Sequence, residues 1–78
     1  MEPIDVTAQF DQAGNARPSR FTWKKGIVLV ESTGRQWLAD DGWHVLVLDG
    51  GGNAYELVFV ATERRWYLRQ ATAKPASG

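Results

Sequence analysis

Apolar and polar residues alternate along most of this chain. Ile4, Val6, Ala8 and Phe10 fall on one side of residues 4–10, with Asp5, Thr7 and Gln9 on the other, which is the period of a half-buried strand. The same alternation over residues 19–24 sets Phe21 and Trp23 inward and Arg20, Thr22 and Lys24 outward. Asp11-Gln12-Ala13-Gly14-Asn15-Ala16 reads as a polar loop between these strands, and Pro18 limits where the second begins. Lys25-Gly26 suits a tight turn into Ile27-Val28-Leu29-Val30-Glu31. Residues 27–38 as one straight strand would span roughly 40 Å, too long for a barrel made from so little chain. A bulge or sharp bend is therefore expected at Ser32-Thr33-Gly34, in preference to a short helical turn over residues 35–39. Asp40-Asp41-Gly42 turns the chain again.

The stretch from Trp43 to Ala61 is the centre of the pattern. Trp43-His44-Val45-Leu46-Val47-Leu48 and Ala54-Tyr55-Glu56-Leu57-Val58-Phe59-Val60-Ala61 flank Asp49-Gly50-Gly51-Gly52-Asn53, a hairpin signature. Residues 61–65 make the last connection and residues 66–70 the last strand, before a small-residue tail from Ala71 to Gly78. No segment sustains a 3.6-residue apolar period. The expected fold is all-β: a small antiparallel barrel or strongly bent meander of about six strands, SH3-like in size. Residues 1–72 form one domain in this reading and residues 73–78 a disordered tail.

The middle strands break the simple rule of one wet and one dry face. Val28, Val30, Val45, Val47, Val58 and Val60 point opposite to equally apolar neighbours. Two apolar faces need two covers, so these six valines are the expected interface with a protein partner or a second copy of the chain.

Composition narrows the options further. Seventy-eight residues suffice for one domain with little core to spare. The absence of cysteine removes disulfides and thiolate metal sites as supports. The start Met1-Glu2-Pro3-Ile4 has neither the basic end nor the apolar run of a signal peptide, and no apolar run is long enough to cross a bilayer. A cytoplasmic protein without membrane association is expected. Nine basic and nine acidic residues cancel, so no global field draws the chain to nucleic acid.

Candidate chemistry is sparse. His44 is the single histidine and reads as an ordinary strand residue beside Trp43. Asp40, Asp41 and Asp49 lack calcium-loop spacing and read as turn residues. The glycine run lacks the Lys-Ser/Thr pair and the helix of a phosphate loop. No enzyme, no metal and no cofactor are expected. The remaining constellation is aromatic and basic. Trp23, Trp37 and Trp66 read as core, while Arg17, Arg20, Lys24 and Lys25 in one segment and Arg64, Arg65 and Arg69 in another could contact single-stranded nucleic acid if the fold unites them.

The order Arg17-Pro18, Phe21, Trp23-Lys24, Val30-Glu31, Trp37, Trp43, Tyr55-Glu56-Leu57 and Arg65-Trp66-Tyr67-Leu68-Arg69 resembles a small uncharacterised bacterial domain. That domain occurs alone or at the carboxyl end of mutagenesis proteins like the Y-family polymerases. The chain departs from it at Trp23-Lys24-Lys25-Gly26-Ile27-Val28-Leu29, where aliphatic residues replace polar and aromatic ones. The resemblance implies a β-barrel and an accessory link to DNA repair or mutagenesis. It supplies neither an activity nor binding residues. The expected function is a non-catalytic interaction module that self-associates or docks on a protein partner; the alternative is a single-stranded nucleic-acid-binding accessory domain.

Overall fold

The computed structural model describes residues 1–73, and every regular element among them is a strand. In chain order these are β1 (Glu2–Ile4), β2 (Val6–Phe10), β3 (Ala16–Trp23), β4 (Gly26–Ala39), β5 (Gly42–Asp49), β6 (Ala54–Val60) and β7 (Arg65–Thr72). All pairings are antiparallel, in the order β1-β7-β6-β5-β4-β3-β2, and the sheet curls into a half-barrel.

The two strands at the ends of that order are consecutive in the chain. Residues 4–10 alternate as one strand, but they must serve two neighbours, so the chain breaks at Asp5. Before it, Ile4 pairs with Trp66 of β7; after it, Val6 pairs with Phe21 of β3. The break is held by Thr22, whose Oγ1 accepts from the Asp5 amide at 3.1 Å and whose amide donates to the Asp5 carbonyl at 2.9 Å.

β4 is the other shared element. Its first residues pair with β3, from Trp23↔Gly26 to Arg20↔Leu29, and its later ones with β5, ending at Ala39↔Gly42. Register shifts between Val30 and Ser32 and between Thr33 and Gln36 supply the expected bend around Ser32-Thr33-Gly34. Residues 35–39 stay extended and form no helical turn. Beyond the bend β3 and β4 no longer pair, and a side chain replaces the ladder. Gln36 Nε2 donates to the Ala16 carbonyl at 2.7 Å, while its Oε1 accepts from the Ala16 amide and from Trp43 Nε1, both at 2.8 Å.

The core lies inside the curl: Ala16, Phe21, Val45, Val47, Tyr55, Leu57 and Leu68 are buried, with Ile4, Val6, Trp23, Val28, Val30, Trp43 and Trp66 packed against them. Phe10 leans on Phe59 and Trp66 and closes one end. This placement corrects the expected interface. Val45 and Val47 are 0% and 1% exposed and belong to the core, and Val28 and Val30 point into it. Val58 lies on the outer face but is also 0% exposed, between His44 and Tyr67 in the register, and Val60 is half-buried. The outer residues left open are instead Ile27, Leu29 and Leu48.

Two connections differ from expectation. The β3–β4 turn consists of Lys24 and Lys25, at φ of 50° and 62°, with Gly26 already paired in β4. Positive φ at both central residues is the primed hairpin turn that Asn-Gly fills most cheaply. β7 extends to Thr72, and the expected tail lies, from residue 74 on, outside the described residues.

Two substitutions test the closure. A Cβ on Gly42 (φ +145°) would come within 2.5 Å of the Phe59 carbonyl oxygen. Gly42→Ala should therefore cost about 3 kcal/mol or more in urea unfolding. Gln36→Ala strips partners from both backbone groups of the buried Ala16 and should cost about 2 to 3 kcal/mol by the same assay.

Candidate functional site

The outer face of β4 to β7 carries a charged cluster around a buried ring. His44 points away from the core yet is only 4% exposed. Its Nε2 lies 2.6 Å from Asp41 Oδ1, in the β4–β5 turn, and its Nδ1 lies 2.7 Å from Glu56 Oε2 on β6. Arg69 of β7 reaches the same Glu56 oxygen at 3.2 Å. Trp37 of β4 stacks on the imidazole, with centroids 5.1 Å apart and an interplanar angle of 25°, and Arg35 lies 5.0 Å from the Trp37 ring centroid. Trp37 is thus an outer-face residue and not part of the core cluster.

An imidazole facing a carboxylate oxygen on each nitrogen donates to both only when protonated. Burial alone pulls the His44 pKa down, but the hydrogen bonds it donates to Asp41 and Glu56, reinforced by their charges, raise it above 6.5. The hydrogen bond from His44 in turn lowers the Asp41 pKa. His44 is therefore a strut of charge, contrary to the ordinary strand position expected of it. With both nitrogens hydrogen-bonded and the ring covered, the protonated imidazole has no lone pair to offer a metal or a substrate proton. Among the described residues no group of three or more His, Cys, Asp or Glu side chains is placed to hold a metal ion.

The glycine loop between β5 and β6 is pinned from within. Asp49 Oδ1 accepts from the amides of Gly51 and Asn53 at 2.8 and 3.0 Å, and its Oδ2 accepts from Asn53 Nδ2 and the Tyr55 hydroxyl at 3.0 and 2.9 Å. The bond from Asn53 leads the set that brings the Asp49 pKa down to about 2. Burial, then the bond to Asp49, raises that of Tyr55.

The basic residues divide. Arg69 is committed to Glu56, and Arg17 lies 3.8 Å from Asp11 at the far end of β3. Arg20 reaches Thr7 Oγ1 at 3.4 Å. Arg64 and Arg65 line a cleft of about 510 Å³ at the Asp5 break, together with Thr22, and among the described residues no lysine or arginine of the first basic segment joins them there. Lys24 and Lys25 stand at the neighbouring hairpin tip, and Lys24 Nζ sits 4.5 Å from the Trp23 ring centroid.

The apolar residues on the open outer face are Ile27 and Leu29 of β4 and Leu48 of β5, exposed by 63%, 68% and 43%. Their inward neighbours Val28 and Val47 fix their direction by the period of two. Sequence pattern alone could not choose between these residues and the valines, because both sets are aliphatic.

The charge strut makes a pH-dependent contribution whose sign follows from the raised pKa. The stabilisation from His44 is fully present below its unfolded value of 6.5 and is lost as pH rises through the folded one. Thermal unfolding should show a midpoint that declines on the alkaline side of that value. His44→Gln should lower the midpoint at mildly acidic pH and remove most of the alkaline decline. Among the described residues there is no helix long and apolar enough to cross a membrane. Comparison with protein-family models, with curated proteins and with solved structures finds no match, which leaves the geometry above to carry the functional reading.

Proposed function

We propose that the chain is a non-catalytic interaction module that associates with a second copy of itself through the outer face of β4 and β5. The observation that carries this reading is the open aliphatic set Ile27, Leu29 and Leu48 on a face where Val58 is fully covered and Leu46 and Val60 are half-buried. Full burial of a large aliphatic side chain is worth about 1.5 to 3 kcal/mol relative to leaving it exposed. Ile27 and Leu29 have roughly two-thirds of that still to gain, twice over in a symmetric pair. After the cost of association this supports a micromolar to millimolar dimer, and not an obligate one.

Nucleic-acid binding over a broad face has weaker support. Arg17 and Arg69 face carboxylates, Trp43 and Trp66 pack on the core, and Trp37 is stacked on His44. The net charge of zero adds no long-range attraction.

Sedimentation equilibrium tests the proposal. The native chain should dimerise with concentration, independently of salt, and Leu29→Lys should remain monomeric with an unchanged thermal midpoint because position 29 is open to water. A native chain that stays monomeric at millimolar concentration and binds no apolar dye removes the basis of the reading.

A further inference from the structure

Among the described residues three other than glycine hold positive φ, and all three are cations: Lys24, Lys25 and Arg64. At Gly14, Gly42 and Gly52 the same requirement is met by glycine. A two-residue hairpin loop made wholly of lysine is strained at both positions and puts two cations on consecutive residues. Backbone strain of this kind persists where a side chain is wanted for contact with a ligand.

Beside this turn opens a cleft of about 340 Å³, lined by Trp23, Lys24, Asn53, Tyr55, Ala71, Thr72 and Ala73. Its volume lies in the range of small-ligand sites. Among the described residues no carboxylate lines it. The nearest acidic group on the adjoining loop, Asp49, spends both oxygens on Gly51, Asn53 and Tyr55. Trp23 is braced edge-on against Tyr55, with centroids 5.6 Å apart at 79°, and Tyr55 is braced in turn against Phe21. The ring face that Trp23 presents is occupied by the Lys24 ammonium.

We infer that this cleft is a nucleotide-binding site, with the base stacked on Trp23 and the phosphate held by Lys24 and Lys25. The base displaces the Lys24 ammonium from the indole face, and the freed ammonium turns to the phosphate. Thr72 adds a hydroxyl at the wall. An acidic peptide would satisfy the lysines but leave the indole unused, whereas a nucleotide engages both. The zero net charge provides no non-specific background, so binding depends on this constellation. The same chemistry is offered by a free nucleotide and by the end of a single strand. The site is independent of the aliphatic stripe.

The full chain is titrated with thymidine monophosphate, with a short oligothymidylate and with oligoglutamate, following backbone amide and indole resonances by NMR. The expected result is saturable shifts at Trp23, Lys24 and Lys25 with the nucleotide ligands and none there with oligoglutamate. Equal affinity for the two nucleotide ligands identifies a free-nucleotide site; roughly tenfold tighter binding of the oligomer identifies a strand end. The double variant Lys24→Asn/Lys25→Gly installs the residues this turn prefers, so it should melt higher than the native chain and yet bind at least about tenfold more weakly. Lys24→Gln, which leaves Lys25 in place, should fall between them. Absence of shifts at millimolar nucleotide overturns the inference, as does unchanged affinity in the double variant or equal binding of oligoglutamate.

Discussion

The constraint behind this fold is that a short chain must make one sheet serve as both walls of its core. Two segments do this by changing partner part-way along. β4 leaves β3 after Leu29 and continues beside β5, and the opening residues leave β7 at Asp5 and continue beside β3. Corners of this kind normally expose backbone groups. Here one is repaired by the Gln36 amide, which presents to Ala16 the donor and acceptor that a neighbouring strand would have supplied. The other is repaired by Thr22. Among the described residues no side-chain nitrogen or oxygen is left both buried and unpartnered.

Once closure fixes which face is inside, the outer face divides into two regions of different character. Over β5 to β7, the His44 ring, its two carboxylates and Arg69 lie around Val58, so charge and aromatic surface cover what would otherwise be apolar. Among the described residues nothing comparable lies above Ile27, Leu29 and Leu48, over the first part of β4 and the end of β5. The contrast on a single sheet face is what singles out the second region.

The fold class was legible because alternation with period two survives in residues 4–10 and 19–24, and because the Asp-Gly-rich loop around Gly51 punctuates the central hairpin. The bend in β4 was legible from the length of the run and from Gly34 within it. Other features were hidden for identifiable reasons. Valine and leucine carry the same signal on either face, so the inward set could not be told from the outward one. Lysine is not a turn former, so the chain appeared to turn one residue late, at Lys25-Gly26. The break at Asp5 depends on partners 17 and more residues away. The role of His44 required a register that places Glu56, 12 residues on, diagonally across from it, and a turn that carries Asp41 back.

The closing arrangement also bears on the order in which the protein can form. β1 is synthesised well before β7, with five strands between them, yet each is the other's ladder partner. Local hairpins from β3 through β7 can assemble in sequence, each on its predecessor. The sheet can curl shut only after β7 is available, and until β1 pairs with it β7 presents an open edge to other molecules. Long-range closure of this type is the slow step in small β proteins. For this chain, the interval before the first strand finds the last is when it is most exposed to aggregation.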